Sequence, residues 1–539
     1  MRTIISHFKQ RPTGLIRVVL LAGALLLLVF GFTVFAQDAL TPQESRGKQI
    51  YVQGKSSSSR EILAYVGQSS LEVPGSAMPC ANCHGLDGQG KPEGGVNPSD
   101  LRWESLTKPY GLANANGRKH PPYTERGLEL ATTRGTDPAG NKLLNVMPRY
   151  QMSRDDLSDL IAYLKRLGTA RDPGISEDRI VIGTVIPAKG GLADLGQAVK
   201  AATSAYFQEL NSQGGIYNRR VELKFAETAE SPAATRTNVE RFLKDEQVFA
   251  MTGAFIAGSE KEMVTLVQEK EVPLVGPMTL FPQTGFPVNR QVFYLLSGVD
   301  GQARALIDFA AKRPELKNSG VAVVSPESEI NARVIEAIKD ESKKIGLSTP
   351  EVASYASGRF TAAETAKKLK QTGREAVFFL GDGEEVLAFM KETEKLSWFP
   401  TVYLPVPAAS RKVFEAPLGF KDKLFFSFPT APIDQTAAGI KEFRDLAEKY
   451  KLPKDHLAAQ LQACSAAKIL AEGLKRAGRD VSREKLISAL EGLNRFETGS
   501  TPAITYGPNR RIGALGAYVV MIDLENKQFG PSSAWISID

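Results

Sequence analysis

The pentapeptide Cys80-Ala81-Asn82-Cys83-His84 constrains this chain more than any other feature of its sequence. Two thiols three positions apart can each add to a vinyl group of one haem, and the adjacent histidine can then bind the iron. The chain has 3 cysteines and 4 histidines in 539 residues, which excludes a disulfide-rich protein. The motif therefore predicts one haem c, held covalently by Cys80 and Cys83, with His84 as an axial ligand of the iron.

Two other kinds of site also use paired cysteines. A zinc site would need further ligands, and Cys464, His120 and His456 lack the spacing of a zinc finger. A thioredoxin-type redox pair would lie between a strand and a helix, whereas the preceding residues LEVPGSAMP predict a loop. Covalent haem is the interpretation that accounts for both cysteines and the histidine.

The first 36 residues predict an export signal. Four basic residues and no acidic ones occur there, so the formal charge of +7 falls to +3 without them, and such a balanced chain gives no case for binding nucleic acid. The basic start, the apolar run over 18–32 and the small residues before Gln37 predict a signal peptide over 1–36. The alternative is an uncleaved transmembrane anchor over 18–36 in the inner membrane. Both interpretations place the rest of the chain in the periplasm.

Residues 41–170 resemble the class I cytochrome c family. The segments that carry the resemblance are ESRGKQIY at 44–51, the glycine-rich HGLDGQGKPEGG after the motif, and NVMPRY followed by SRDDLSDLIAYLKRLG. Gly47 suits a close helix crossing, Ser153 can cap the last helix, and Gly168 can end it. The resemblance implies a small all-α cytochrome c domain.

The same resemblance carries the second axial ligand onto Met147, in the Met-Pro pair before the last helix. A thioether stabilises ferrous iron and closes the coordination sphere. His120 is an alternative ligand, and a methionine that only fills the core is another interpretation. Met78 and Met152 are weaker candidates, because the first is too close to the attachment motif and the second begins a helix.

After a linker over 171–176, apolar strands alternate with amphipathic helices over 177–539. RIVIGTVI at 179–186 predicts a strand, 193–213 a helix and 221–226 a strand, and Ser231-Pro232 predicts the start of a helix. VFAMTG, VPLVGP, GVAVVSP, EAVFFLG and TVYLPVP predict further strands. Repeated strand–helix units predict parallel sheets covered on both faces, and the length predicts two lobes.

This segment resembles the type I periplasmic solute-binding proteins, especially the branched-chain amino acid receptors. The resemblance implies a two-lobed α/β type I periplasmic-binding fold with crossovers near 298, 428 and 506. It also implies ligand loops at 255–259, 278–279, 327–330 and 381–384. The side chains singled out in these loops are Ser259, Thr279, Glu329 and Asp382.

A helix cap is the alternative role for Ser259 and Thr279, and a solvated turn is the alternative for Asp382. Amino acid receptors hold the ligand ammonium with an acidic residue after the strand that matches TVYLPVP, but residues 406–410 contain none. An amino acid ligand is therefore in doubt, and small organic acids, alcohols or aromatic compounds are expected.

Three function classes follow from these features. The leading prediction is a periplasmic electron-transfer cytochrome fused to a receptor for a small polar solute. It is not an enzyme, and its redox partner protein belongs to a dehydrogenase or oxidase chain. The alternative is the substrate-binding component of an ABC-type importer, with an importer permease as partner and an accessory haem domain. The third class, a haem enzyme, needs an open iron position, which Met147 would close.

Overall fold

The computed structural model describes residues 40–58, 60–90, 95–113, 118–169, 171–283, 285, 288–314, 316–405, 411–431 and 434–538. The predicted signal segment over 1–36 and its anchor alternative over 18–36 lie outside these residues. The chain forms two compact units, one that ends at Pro173 and one that begins at Gly174. Within the described ranges, no helix has both the length and the apolar character needed to cross a membrane.

The first unit is a small helical domain with short strands. Its helices are α1 (Pro42–Gln53), α2 (Cys80–His84), α3 (Trp103–Leu106), α4 (Glu125–Arg134) and α5 (Arg154–Leu164). Its strands are β1 (Leu63–Val66), β2 (Leu71–Pro74), β3 (Leu112–Ala113), β4 (Lys119–His120) and β5 (Arg149–Gln151).

The first and last helices of this unit cross closely, as the sequence predicts. A Cβ at Gly47 would lie 1.9 Å from the carbonyl oxygen of Asp159, so only glycine allows α1 to approach α5 this closely. Ser153 caps α5, and its side chain accepts the amide hydrogen of Asp156. The helix ends at Leu164, four residues before the predicted end at Gly168, which has a φ of +80° in a turn.

A small antiparallel sheet in the order β2-β1-β5 adds to the helical architecture expected from the sequence. The strand β1 pairs with β5 through Leu63–Gln151, Ala64–Tyr150 and Tyr65–Arg149. Residues 63–66 therefore belong to a strand. Ile62 and Ala64 are buried in the core of the unit.

The second unit consists of alternating strands and helices. Its strands are β6 (Arg179–Ile186), β7 (Arg220–Glu227), β8 (Ala250–Thr252), β9 (Leu274–Val275), β10 (Val292–Leu296), β11 (Val321–Pro326), β12 (Glu351–Tyr355), β13 (Ala376–Phe379), β14 (Thr401–Leu404), β15 (Leu424–Phe428), β16 (Ile512–Ala514), β17 (Gly516–Asp523), β18 (Gln528–Pro531) and β19 (Ile536–Ser537).

Its helices are α6 (Ala193–Ser212), α7 (Pro232–Asp245), α8 (Glu260–Glu269), α9 (Val299–Ala311), α10 (Leu316–Ser319), α11 (Glu329–Lys344), α12 (Ala362–Gln371), α13 (Gly383–Lys395), α14 (Ala437–Lys449), α15 (Leu457–Ala477) and α16 (Arg483–Glu491). Ser231 caps α7 and Pro232 is its first residue, as the sequence predicts.

The strands form two sheets, one in each lobe. The first has the order β16-β10-β9-β8-β6-β7, and all its described pairings are parallel. The second has the order β12-β11-β13-β14-β15-β17-β18, parallel up to β15 and antiparallel beyond it. Separate apolar clusters cover the two faces of each sheet, which is why the strands have near-continuous apolar sequences.

The chain passes between the lobes three times. The first two crossings, after Leu296 and after Phe428, agree with the predicted positions near 298 and 428. The third prediction, near 506, is wrong. The strand β16 still belongs to the first sheet up to Ala514, and β17 of the second sheet begins at Gly516. Because Ile512 and Ala514 pair with β10, the chain crosses to the second lobe only at Leu515.

Candidate functional site

The Cys-x-x-Cys-His motif forms the short helix α2. Its five residues make little more than one helical turn, which places Cys80 and Cys83 on one face. Gly85 ends the helix with a φ of +77°, a backbone conformation that favours glycine. Both thiols are free, and burial raises the pKa of Cys80 to about 12, so this thiol is protonated at neutral pH.

His84 is oriented for coordination through one ring nitrogen. Its side chain is buried, and its Nδ1 lies 2.8 Å from the carbonyl oxygen of Ser99. A carbonyl can only accept, so Nδ1 carries the hydrogen and Nε2 keeps its lone pair. Burial lowers the pKa of His84, which favours the neutral imidazole that binds metals. The donor set of α2 therefore fits a covalently attached haem.

Two tyrosines that the sequence did not single out hold the ends of the motif. The Tyr51 hydroxyl, from α1, donates to the carbonyl of Gly85 over 2.7 Å. The Tyr150 hydroxyl, from β5, donates to the carbonyl of Met78 over 2.6 Å. These bonds join segments that are 34 and 72 residues apart, so only the folded chain reveals them.

Met147 lies in a tight turn that precedes β5. Its amide donates to the carbonyl oxygen of Leu144 over 3.0 Å, and its carbonyl oxygen accepts a hydrogen bond from the guanidinium of Arg149. Because Tyr150 is bonded to Met78, the segment that contains Met147 is tied to the residues just before Cys80. The predicted ligand thus lies on a segment that is bonded to the residues just before the motif, although the two are far apart in the sequence.

The rival ligands have other surroundings. Met78 and Met152 pack against the apolar core of the unit, which is the role of a gap-filling methionine. His120 is buried at the end of β4, with Nδ1 2.8 Å from the carbonyl of Pro121 and its ring 4.9 Å from that of Tyr123. His120 stays an alternative axial ligand.

In the second unit, the predicted residues Ser259 and Thr279 lie in neighbouring loops. These loops follow β8 and β9, which are adjacent in the first sheet, and they are joined by the bond from the Ile256 amide to the Met278 carbonyl over 3.0 Å. The Ser259 hydroxyl is buried and donates to the carbonyl of Ile256 over 3.2 Å. It makes no capping bond to its helix α8.

Glu260, which the sequence did not single out, organises this pair of loops. The Thr279 hydroxyl donates to Oε1 of Glu260 over 3.1 Å, and the Gly258 amide donates to Oε2 over 2.8 Å. The Thr279 oxygen also accepts the amide hydrogen of Phe281 over 3.0 Å. The only sequence signal for Glu260 is its place as an acidic residue in the first turn of a helix, a general feature of helix starts.

The other two predicted residues lie in the second lobe, after adjacent strands. Glu329 follows β11 as the first residue of α11 and is exposed. Asp382 follows β13 and caps α13, since its Oδ1 accepts the amides of Glu384 and Glu385, each over 2.9 Å. Residues 406–410, where the acidic residue of amino acid receptors is missing, lie outside the described residues.

The strand order places Glu329 and Asp382 at a topological switch point, and it places Ser259 at another with Thr279 one strand further along the sheet. In the first sheet the chain order reverses between β6 and β8, and in the second between β11 and β13. Ligands of open parallel sheets bind at the carboxyl ends of strands near such points. Ser259 and Thr279 thus lie together in one lobe, and Glu329 and Asp382 lie at the corresponding edge of the other.

Two family models match this chain. A model described as periplasmic binding protein matches residues 179–528, and a model described as cytochrome c matches residues 75–168. The first covers the two-sheet unit, and the second covers the motif, Met147 and the helix α5.

This chain is also similar to known proteins and to solved structures. Leu/Ile/Val-binding protein homolog 3 from Brucella melitensis is 26% identical over 202 residues, which are 38% of this chain and 54% of that protein. An amino acid binding protein from Pseudomonas aeruginosa is 22% identical over 202 residues, which are 38% of this chain and 54% of that protein. The matches therefore span about half the length of these two relatives. A solved branched chain amino acid ABC transporter from Thermus thermophilus with bound valine has a TM-score of 0.54 at 17% identity, covering 68% of this chain and 98% of that one.

Proposed function

The chain belongs to the periplasmic binding protein family and carries a cytochrome c domain, and we propose that it is a periplasmic electron-transfer cytochrome fused to a receptor for a small polar solute. The observation that carries the proposal is the buried His84, whose Nδ1 is bonded to Ser99, within one helical turn of two free cysteines. The same chain continues into a two-lobed fold with polar loops at both switch points.

In this proposal Cys80 and Cys83 would hold one haem covalently, and His84 and Met147 would bind its iron. A bound haem of this kind supplies one-electron oxidation and reduction. The Ser99 carbonyl fixes the orientation of the His84 ring, and Tyr51 and Tyr150 hold the backbone on either side of the motif. Met147 would leave no open position for a substrate at the iron, so in this proposal the chain is a carrier rather than an enzyme.

The receptor closes its two lobes on a solute between the loops that follow β8, β9, β11 and β13. The names of the relatives support a small ligand, since those proteins are described as binding leucine, isoleucine, valine or other amino acids. The missing acidic residue in 406–410 argues against an α-amino acid here. The family supports a periplasmic location, where haem attachment also takes place, and the redox partner belongs to a dehydrogenase or oxidase chain.

The second candidate function is the substrate-binding component of an ABC-type importer. The family model covers residues 179–528, and a solved structure with this fold is described as an ABC transporter. In that case an importer permease is the partner and the haem domain is accessory. Solute uptake would then survive the double substitution of Cys80 and Cys83 by serine, whereas a function coupled to electron transfer would not.

The test of the leading candidate is spectroscopic. The full chain, produced in a host that matures c-type cytochromes, should keep its haem on a denaturing gel and titrate as a single one-electron couple. Carbon monoxide should leave the spectrum of the reduced wild type unchanged, because Met147 would occupy the position at which carbon monoxide binds. Haem that is lost on denaturation, or rapid carbon monoxide binding by the wild type, would contradict the proposal.

A further inference from the structure

We propose that Arg149 positions the methionine ligand of the haem iron, because its guanidinium holds the turn that carries Met147. The inference rests on the haem ligation proposed above and adds one residue to it. Arg149 would do for Met147 what the Ser99 carbonyl does for His84, which is to fix a ligand without contact with the iron. It is a positioning residue, and electron transfer would depend on it only through Met147.

The guanidinium of Arg149 binds three carbonyl oxygens of the turn over 143–147. Its Nη1 donates to the carbonyl of Met147, at the end of the turn. Its Nη2 donates to the carbonyls of Leu143 over 3.0 Å and Leu144 over 3.4 Å, at the start. The N–H groups of a guanidinium form a rigid planar fork, so these bonds hold the two ends of the turn at a fixed separation.

The tip of this turn has little packing of its own. The side chains of Leu144 and Val146 are 55% and 47% exposed, and Met147 is half-buried. The backbone is also held by the bond from the Met147 amide to the Leu144 carbonyl, and by the bond from the Gly67 amide to the Asn145 carbonyl over 3.2 Å. A segment with few buried apolar contacts opens easily, so the conformation of the turn depends on its hydrogen bonds.

The charge of Arg149 acts on this turn and not on an acidic partner. No carboxylate of the described residues forms an ion pair with it. Hydrogen bonds from a charged donor are about twice as strong as those between neutral groups. The guanidinium is also half-buried, where water competes less for the carbonyl oxygens. Arg149 is therefore the strongest tie of the turn to the rest of the unit.

The backbone of Arg149 is fixed separately from its side chain. Arg149 begins β5 and is the partner of Tyr65 in the pairing of β5 with β1. The next residue, Tyr150, is buried, and its hydroxyl donates to the carbonyl of Met78. The guanidinium therefore reaches the turn from a strand that is held in the core of the unit.

Gly135 leaves the space that the guanidinium occupies. A Cβ at this position would lie 1.8 Å from Nε and 2.0 Å from Cζ of Arg149. Gly135 follows α4 with a φ of +61°, which by itself favours glycine at a helix end, and its carbonyl accepts the Leu143 amide over 2.9 Å. The end of α4 therefore makes room for Arg149 and also supports the start of the turn, so Arg149 can be displaced without being replaced.

The experiment measures how readily Met147 leaves the iron. Imidazole binds ferric haem only where the methionine has been released, so its affinity for the full haem-loaded chain reports the opening of the turn. The weak red absorption band that is typical of a bond between methionine sulfur and ferric haem iron reports it independently. The test variants are Arg149→Gln, Arg149→Lys and Gly135→Ala, and Met147→Ala shows the affinity of an open site.

Two controls match these variants within the same unit. Arg126→Gln also removes one arginine charge, but Arg126 lies on α4 and pairs with Glu129. Gly140→Ala also places a side chain at a positive φ, +83°, but the position has open space around it. Both should leave the imidazole affinity within about twofold of that of the wild type, the range of surface substitutions without such contacts.

Arg149→Gln should bind imidazole at least about tenfold more tightly than the wild type, the effect of losing a hydrogen bond to a charged group. Its red band should weaken. Arg149→Lys should give a smaller increase, since the ammonium keeps the charge but has no planar fork. Gly135→Ala should shift the affinity in the same direction although Arg149 is unchanged. If Arg149→Gln does not fold, Arg149→Lys and Gly135→Ala are the deciding variants.

Wild-type imidazole affinity in Arg149→Gln and Gly135→Ala, with much tighter binding by Met147→Ala, would overturn the inference and leave the haem ligation intact. A shift of the same size in Arg126→Gln would also overturn it, because the effect would then belong to charge and not to the turn. Equal imidazole affinity of Met147→Ala and the wild type would instead contradict Met147 as the ligand, and the inference with it.

Discussion

The two units of this chain build their sites in opposite ways. In the cytochrome c unit, the proposed attachment residues and the proposed first iron ligand lie within the five residues of one short helix. In the receptor unit, Ser259, Thr279, Glu329 and Asp382 come from four loops, and the order of strands in two sheets brings each pair together. A local site tolerates changes elsewhere in the fold, whereas an assembled site depends on the packing of the strands that precede it.

The supporting contacts follow the same division. The Cys-x-x-Cys-His motif and the residues that flank it are held by bonds from outside, among them those of Ser99, Tyr51 and Tyr150. The loops after β8 and β9 are joined by a backbone bond. The carboxylate of Glu260 also joins them, because it accepts hydrogen bonds from Thr279 and from Gly258. Four variants test this contrast.

The largest effect is expected when Cys80 and Cys83 are both replaced by serine. Without thiols no thioether can form, so the haem-stained band on a denaturing gel should disappear completely. The thermal transition of the receptor unit should not change. Cys464→Ser is the matched control, because this third cysteine lies in α15 and its sulfur contacts only the Ala202 carbonyl among the described hydrogen bonds. A haem-stained band that persists in the double variant would show that attachment does not depend on the local motif.

The next effect is expected for Met147→Ala, which should open the iron, admit carbon monoxide and lower the midpoint potential. Axial ligands tune haem potentials over a range of about 0.8 V, so a fall of roughly 100 mV or more is expected. Potentiometric titration measures it. In the control Met152→Ala the midpoint potential should not change. Only the free energy of unfolding should fall, since Met152 packs on the core. If the spectrum of Met147→Ala matches that of the wild type, another residue is the ligand, and His120 is the next candidate.

An intermediate effect is expected for Gly276→Ala, which changes no predicted ligand residue. Gly276 has a φ of +61°, and a Cβ there would lie 2.4 Å from Cβ of Ala466 in α15. The overpacking should destabilise the receptor unit by about 1–3 kcal/mol and weaken solute binding through the loop that carries Thr279, with the haem spectrum unchanged.

Gly346→Ala is the control for this substitution, because its φ is +78° with open space around the position. It should cost only about 1 kcal/mol of backbone strain and leave solute affinity as in the wild type. Equal effects of the two substitutions on affinity would mean that the loop does not depend on the packing of β9 against α15.

The smallest effect is expected for Asp300→Asn in the receptor unit. Burial raises the pKa of Asp300 above its unfolded value, so the ionised form costs stability, and that cost grows as the pH rises from the unfolded pKa to the raised folded pKa. The variant should therefore be more stable than the wild type at neutral pH, with the difference vanishing below about pH 4. Asparagine keeps the oxygen that accepts the Gly301 amide over 2.9 Å. Melting curves against pH measure the difference, and greater stability of the wild type at neutral pH would reverse the sign argued here.

The sequence by itself determined the features that depend on a few neighbouring residues. The haem motif, the cap of α5 at Ser153, the start of α7 at Ser231-Pro232 and the strand over 179–186 all follow from local chemistry or periodicity. The close approach at Gly47 is also predictable, because a glycine within a helix of such a domain has few other reasons to be there.

Only the tertiary structure decided which distant groups meet. The bond from Tyr150 to Met78 joins residues 72 apart, and the third crossover moved to Leu515 because β16 pairs with β10. The pairing of Glu260 with Thr279 depends on the adjacency of β8 and β9, and the glutamate by itself is an ordinary first-turn residue. Side-chain type and spacing act over a few residues, whereas strand order and register fix contacts across the sheet, and neither can be derived from a single strand's sequence.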